Sequence, residues 1–127
     1  MNISQAAKAT DLPVKTVRYY ADIGLVEPAS RSDAGYRIYD DAALRKLAFI
    51  RRARAFGFSI DDCRELLGLY SDPDRSSADV KRVAERQLEE IDRKAKELAA
   101  LREELAHLVH ACRGDTRPDC PIMDYLG

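Results

Sequence analysis

Two cysteines near the C-terminal end are the residues of this chain whose type and spacing best suit chemistry. Cys112 and Cys120 are separated by seven residues that include glycine and proline, which is typical of a loop. Thiolates are soft ligands that prefer Cu(I), Ag(I), Hg(II) and Zn(II), and two of them suffice for a two-coordinate Cu(I) ion. Tetrahedral Zn(II) requires more ligands. The pair therefore indicates a soft-metal site, with an incidental pair or a redox-active dithiol as the alternatives.

Other residues of the same chemical types have simpler interpretations. Cys63 lies on the apolar face of a predicted helix, where a small buried thiol is the expected role. His107 and His110 precede the loop in the last turns of a helix, whose partial negative charge favours them. His110 is nevertheless the extra ligand to consider if the ion is divalent. We also expect Cys120, at a predicted helix N-terminus, to have a lowered thiol pKa.

The composition indicates a mainly helical cytoplasmic protein. Of its 127 residues, 46% are hydrophobic and 34% charged, and no apolar run approaches the roughly 20 residues of a membrane span. Residues 1–56 carry ten Lys and Arg against six Asp and Glu, a net charge of +4. Residues 57–127 carry eleven against sixteen, a net charge of −5. This asymmetry places a polyanionic partner at the N-terminal part and predicts no membrane partner.

The N-terminal residues predict a winged helix-turn-helix. Two short helices separated by a tight turn are expected within residues 3–23. The second would turn Lys15, Arg18 and Tyr19 outward, where phosphates and base edges could be reached. Residues 25–39 predict a small hairpin, or wing, beside these helices. Side chains that could reach a duplex from the wing are Arg31, Tyr36 and Arg37; of the tyrosines at 19, 20, 36 and 39, at least one should be core.

Three segments are expected along the chain. Supporting helices at about 42–56 and 60–70 would complete a DNA-binding domain over residues 1–70. Residues 71–111 would form a hinge and a coiled-coil helix, since apolar residues recur there at alternating spacings of four and three. A lone amphipathic helix of this length needs a partner, which favours an antiparallel homodimer. Residues 112–127 would form the metal-binding loop and a short C-terminal helix.

Taken together, the sequence resembles the MerR family of transcriptional regulators over its whole length. Its C-terminal part is similar to the copper-efflux regulator (CueR-type) branch of that family. The residues that carry the resemblance to the family are Ile3-Ser4-Gln5-Ala6-Ala7, Thr16-Val17-Arg18-Tyr19-Tyr20, Gly24-Leu25-Val26, Arg31, Gly35-Tyr36-Arg37-Ile38-Tyr39 and Leu47 to Gly57. Those that carry the similarity to the CueR-type branch are Asp72-Pro73-Asp74-Arg75, Ser77-Ala78-Asp79-Val80-Lys81, Ala111-Cys112, Gly114-Asp115 and Asp119-Cys120-Pro121-Ile122.

The resemblance implies a non-enzymatic homodimer that binds promoter DNA whose two polymerase elements are spaced too far apart. In such proteins the metal-bound form bends and untwists the DNA, so that RNA polymerase can use both elements. It also implies the DNA contacts: Arg18, Tyr19 and Tyr20 of the second helix and Arg31, Tyr36 and Arg37 of the wing, to which the outward face adds Lys15.

The same resemblance implies Cys112 and Cys120 as metal ligands. In the zinc and mercury branches a further cysteine comes from the start of the partner's dimerisation helix, where this chain has Ser77. The missing thiolate points to monovalent Cu(I), with Ag(I) and Au(I) also possible, and Lys81 is a candidate to compensate the site's negative charge. We therefore expect an activator of copper efflux or detoxification genes. The alternatives are a sensor of divalent Zn(II), Hg(II) or Cd(II), a dithiol redox sensor and a purely structural DNA-binding protein.

Overall fold

The computed structural model describes residues 1–127 as six helices and one two-stranded sheet, arranged in two compact units. Met1–Val83 is the first unit and Ala84–Gly127 the second. The predicted mainly α fold with a winged helix-turn-helix and a long helix is confirmed. In chain order the elements are α1 (Ile3–Thr10), α2 (Val14–Asp22), β1 (Ser30–Arg31), β2 (Arg37–Ile38), α3 (Asp41–Ala55), α4 (Ile60–Tyr70), α5 (Ser77–Ala111) and α6 (Pro121–Leu126).

The start of α1 is fixed by a capping box. The Gln5 amide donates to the Asn2 side chain at 2.8 Å, and the Asn2 amide donates to the Gln5 side chain at 2.9 Å. These bonds satisfy amides that have no partner inside the helix. Asp11, in the left-handed conformation (φ 54°), ends α1 and turns the chain toward α2.

The β1–β2 hairpin forms the expected wing. Ser30 pairs with Ile38 and Arg31 with Arg37 in an antiparallel register. The turn closes where the Gly35 amide donates to the Ser32 carbonyl oxygen at 2.8 Å. Gly35 has φ 85°, which glycine adopts without a steric penalty, so the short wing can reverse sharply.

The helices α3 and α4 support the helix-turn-helix from behind. Asp40 caps α3 by accepting the Ala43 amide at 2.8 Å, and Ser59 caps α4 by accepting the Asp62 amide at 3.0 Å. Helix α3 packs against both α1 and α4, and its Leu47 is fully buried at the centre of the core. The core thus joins the two helices of the helix-turn-helix to the elements that follow the wing.

The long helix α5 begins inside the first unit. Val83 is buried in the core of that unit and Val80 packs against it. The sequence predicts the end of the DNA-binding domain at residue 70, before the hinge, and that boundary stays a prediction.

Beyond Val83, large apolar side chains of α5 lie exposed at helical spacing. Between them, Arg93 forms ion pairs with Glu90 and Glu97 on the neighbouring turns. None of the helices has the combination of length and apolar character that crossing a membrane requires. The exposed apolar residues of α5 are Leu88, Ile91, Leu98, Leu101, Leu105 and Val109.

Candidate nucleic-acid interface and metal site

A cleft of about 670 Å³ separates the start of α1 and helix α2 from the wing. We call it the arginine cleft, because Arg18, Arg31 and Arg37 all contribute to its wall. Arginine side chains around one concave surface attract a polyanion, and those that are exposed offer donors to phosphate oxygens. The remaining lining residues are Asn2, Ile3, Ser4, Ser32, Gly35, Tyr36 and Ile38.

Several of the predicted contact residues lie on the surface around this cleft. Helix α2 buries Val17 completely, so its neighbours Lys15, Arg18 and Tyr19 point away from the core and are exposed. On the wing, Tyr36 is 72% exposed. These side chains are free of core packing and can meet a ligand without a change of fold.

Tyr20 departs from the expected contact set. Its side chain is only 5% exposed, because it lies three residues after Val17 on the same inward face of α2. Burial raises the pKa of its phenol, an effect that Arg54 partly opposes. We therefore remove Tyr20 from the candidate DNA contacts and assign it to the core. With the buried Tyr39, it confirms the expectation that at least one of these tyrosines packs inside.

Two arginines of the cleft form hydrogen bonds with other residues of the first unit. An Nη1 donor of Arg31 bonds the carbonyl oxygen of Gly35 at 3.0 Å, within the wing, and the side chain remains exposed. Arg37 instead points inward, and its Nη2 donates to the Asp22 carboxylate at 2.8 Å. The predicted wing arginines thus have different surroundings, and Arg31 is the more exposed of the two.

The C-terminal end of α2 has contacts that the sequence did not indicate. Arg64 of α4 donates to the carbonyl oxygens of Ile23 at 3.2 Å and Gly24 at 3.4 Å. Carbonyls at a helix end have no partner within the helix, and a cation there is favoured by the helix dipole. Arg64 is about forty residues from these carbonyl groups in the sequence, so no local sequence pattern could have predicted the contact.

Residues 112–120, here called the metal loop, bring two free thiols together. Cys112 follows the last turn of α5, and Cys120 occupies the N-cap of α6 with Pro121 at the first helical position. The pKa of Cys120 is lowered, first by the Met123 amide and then by a hydrogen bond with the Cys112 side chain. The Cys120 side chain makes no capping hydrogen bond. The Met123 amide therefore stabilises the Cys120 thiolate by electrostatic attraction at the start of α6. Two adjacent thiols, one of them easily deprotonated, fit a soft ion.

The rest of the chain offers no fuller ligand set. No group of three or more His, Cys, Asp or Glu side chains is arranged to hold a metal ion, so His107 and His110 complete no cluster with the two thiols. Cys63 is fully buried in the first unit, where burial raises its thiol pKa. Ser77 and Lys81 lie exposed in the first turns of α5. The donor set within one chain is therefore a pair of thiols, which suits a soft ion of low coordination number.

Helix α6 folds back on α5 and closes the metal loop. The Tyr125 hydroxyl donates to the Glu104 carboxylate, and this hydrogen bond raises the pKa of Tyr125. Alongside it, Ile122 and Leu126 line a small groove with Leu105 of α5. Both ends of the loop are therefore anchored to helices that contact each other.

A helix-turn-helix with an arginine-lined wing defines a DNA-binding transcriptional regulator, and the long helix with its thiol loop narrows the class further. The chain matches the family described as "MerR HTH family regulatory protein" over residues 1–69 and "MerR, DNA binding" over residues 44–108. It belongs to the MerR family of transcriptional regulators, and it is not an enzyme.

Individual relatives agree with this assignment over nearly the whole chain. The HTH-type transcriptional regulator HmrR of Rhizobium leguminosarum bv. viciae is 54% identical, covering 99% of this chain and 97% of its own length. The regulator CueR of Salmonella typhimurium is 45% identical, covering 99% and 91%, which confirms the similarity to the CueR-type branch. Among solved structures, PbrR691 of Ralstonia metallidurans CH34 in complex with lead(II) is 35% identical, with a TM-score of 0.82 and coverage of 100% and 99%.

Proposed function

We propose that this protein is a cytoplasmic, homodimeric metal sensor that binds Cu(I) through Cys112 and Cys120. In response it would bend and untwist promoter DNA and activate genes for copper efflux or detoxification. Ag(I) and Au(I) share the charge and softness of Cu(I) and are the alternative ions. The observation that carries this proposal is the pair of free thiols at the two ends of one loop, in a MerR-family chain that gathers no third ligand around them.

The thiol pair supports a monovalent ion through charge and coordination. The lowered pKa of Cys120 means that its proton is lost more readily than from an ordinary thiol, and the thiolate is the ligand form. A bound ion would hold the two sulfur atoms together and neutralise part of their negative charge. Ser77 supplies no thiolate from the start of α5, and we propose that this limits the site to low-coordinate ions. Lys81, one turn later, is a candidate to balance the remaining negative charge.

The exposed seam of α5 supports dimerisation. Leu98 and Leu105 are mostly exposed at helical spacing, and a stripe of this size is costly to leave in water. A two-fold antiparallel pairing of α5 with its copy would cover both stripes with a single type of contact. A dimer would also present two copies of α2 to two half-sites of DNA.

The surface of the first unit supports DNA binding by five of the predicted residues. We propose that Lys15, Arg18 and Tyr19 of α2 meet the major groove, and that Arg31 and Tyr36 of the wing meet the backbone. RNA polymerase would act on the same promoter. Arg37 is not among these five residues, because its side chain turns inward toward Asp22.

A divalent sensor is the second candidate. Its support is the lead(II) complex of PbrR691, which has the same fold over the full chain. A divalent ion would require a further donor from outside the single chain or from a rearranged His110. The number of ligands around the bound ion therefore distinguishes the monovalent sensor from the divalent sensor.

Anaerobic titration of the dimer with Cu(I) against a competing chelator tests the proposal. We expect one tightly bound ion per thiol pair, lost in Cys112→Ser and retained in the matched control Cys63→Ser. X-ray absorption should then find two sulfur neighbours and no other donor. Additional nitrogen or sulfur ligands would favour the divalent sensor. Conversion to a disulfide without metal uptake would favour the redox sensor.

Transcription in vitro tests the link between metal and DNA. Cys120→Ser should still bind promoter DNA but should fail to activate on metal addition. Promoter output that is unaffected by metal in the unsubstituted protein would instead favour a purely structural DNA-binding role. Ser77→Cys should broaden the response toward Zn(II) or Hg(II); an unchanged metal preference would rule out Ser77 as the selectivity position.

A further inference from the structure

One ion pair joins the end of α2 to the wing. Asp22 is the last residue of α2 and Arg37 the first residue of β2, and the Arg37 Nη2 lies 2.8 Å from the Asp22 Oδ1. The Arg37 side chain is 20% exposed, compared with 55% for Asp22. The guanidinium group is therefore largely withdrawn from solvent while its partner remains at the surface.

The buried side of Arg37 strengthens this distinction. Its Nη1 atom is inaccessible and has no hydrogen-bond partner, and the nearby Tyr39 hydroxyl is also buried and unpaired. Burial raises the pKa of Tyr39, and the nearby charges of Arg37 and Asp22 act on it in opposite directions, with smaller effects from Arg31 and Arg18. A phosphate could be engaged by the full Arg37 fork only if the side chain left Asp22.

Its partner in the hairpin register provides the contrast. Arg31 lies directly opposite Arg37 in the sheet and has an exposed side chain. Its protein partner is a carbonyl oxygen, so its charge is not neutralised by a carboxylate. Arg31 can approach a phosphate from its present position, whereas the Arg37 guanidinium group is already bonded to Asp22 at the end of α2.

We propose that Arg37 is a positioning residue, not a phosphate contact, and that its bond to Asp22 sets the wing against α2. In that arrangement Arg18 and Arg31, on opposite walls of the arginine cleft, reach one duplex together. This inference rests on the proposed DNA binding of the first unit. It assigns a favourable role in DNA binding to Asp22, an acidic residue.

Because Asp22 is acidic, the proposal predicts a change in DNA affinity on its removal that is opposite to the change expected from charge alone. A carboxylate beside a DNA-binding surface repels phosphates, so its removal should strengthen binding if electrostatic attraction alone mattered. If Asp22 orients the wing, its removal leaves Arg37 unpaired and releases the hairpin, and binding becomes weaker. Asp33, an exposed acid in the wing turn, offers a control in which only repulsion is removed.

The experiment measures DNA affinity of the full-length protein as a function of salt. The probe is a duplex selected by the unsubstituted protein from a random-sequence library. Arg37→Ala and Asp22→Ala should each weaken binding by about tenfold, and the double variant should be little worse than either one, as expected for coupled residues. Asp33→Ala should bind as tightly as the unsubstituted protein or more tightly.

The salt dependence separates positioning from contact. Loss of a phosphate contact reduces the slope of log affinity against log salt by about one, so Arg31→Ala should show this reduction. Arg37→Ala should keep the original slope. The exchange of Asp22→Arg with Arg37→Asp should recover affinity lost in the single variants, and thermal melting should show all variants folded.

Each contrary result has a distinct meaning. A reduced slope in Arg37→Ala equal to that of Arg31→Ala would overturn the positioning role, as would tighter binding by Asp22→Ala. Additive losses in the double variant would do the same. If the unsubstituted protein selected no duplex at all, the proposed DNA-binding function would fail instead.

Discussion

Residues 1–83 enclose an apolar core around a fully buried Leu47, whereas residues 84–127 leave Leu98 of α5 68% exposed. Both segments are built from amphipathic helices with similar apolar spacing. In the first unit the helices cover one another's apolar faces, while the second unit has only α6 to cover one short part of α5. The same sequence pattern therefore produces a self-sufficient core in one place and a surface that needs a partner in another.

This comparison separates two sources of stability. The first unit should be stabilised by contacts within one chain, and its unfolding should not depend on protein concentration. The second unit should gain its stability by association, so concentration should matter. Substitutions in the first unit should consequently lower the free energy of unfolding, whereas substitutions in the second unit should weaken association of the two chains.

Leu98→Asp should have the largest effect on the second unit. In a two-fold interface the substitution places two charges among apolar side chains, and we expect the dimer dissociation constant to rise by about a hundredfold or more. Sedimentation equilibrium measures this change. Lys96→Ala, a matched exposed position outside the seam, should leave the dimer intact. Unchanged association of Leu98→Asp would remove α5 as the dimer interface.

Leu47→Ala should show the opposite behaviour. Loss of a fully buried leucine should lower the free energy of unfolding by about 3 kcal/mol, through lost burial and a residual cavity. Urea denaturation at two protein concentrations should give the same loss. If the loss scaled with concentration, the first unit would not be an independent core.

Arg18→Ala should separate the functions of the two units. Removal of an exposed cation from the arginine cleft should weaken DNA binding by about 1 to 3 kcal/mol. Its affinity for Cu(I), measured against a chelator, should stay unchanged because the thiols belong to the other unit. An equal loss in metal affinity would contradict this division of functions.

The two units should also differ in the reactivity of their thiols, and this is the smallest of the expected effects. The pKa of Cys120 is lowered and that of Cys63 is raised, so thiolate forms at Cys120 at a lower pH than in an ordinary thiol, and at Cys63 at a higher pH. In metal-free protein, alkylation of Cys120 should therefore rise first as pH increases. Mass spectrometry of each site at a series of pH values measures the order. Cys63 should react only after unfolding.

Much of the fold was predictable because its signals are local. Asp40 and Ser59 are residue types that favour helix starts, and they cap α3 and α4 next to the helices predicted at about 42–56 and 60–70. Gly35 allows the sharp turn of the predicted wing. The unexpected features depend on packing between distant segments. Helical spacing allowed Tyr20 either face of α2, and the volume available beneath that helix decided its burial. The inward position of Arg37 required knowledge of Asp22, fifteen residues away across the turn into the wing.

The turn within the metal loop has a kinetic consequence. Asp115 accepts the Arg117 amide at 2.9 Å and two bonds from its guanidinium group, and Gly114 supports the turn with φ 65°. A loop that already has its turn loses less conformational entropy when its ends are bridged. At the proposed metal site, capture of an ion would therefore not have to wait for the loop to fold. Loosening this turn should slow uptake of the ion more than it speeds release.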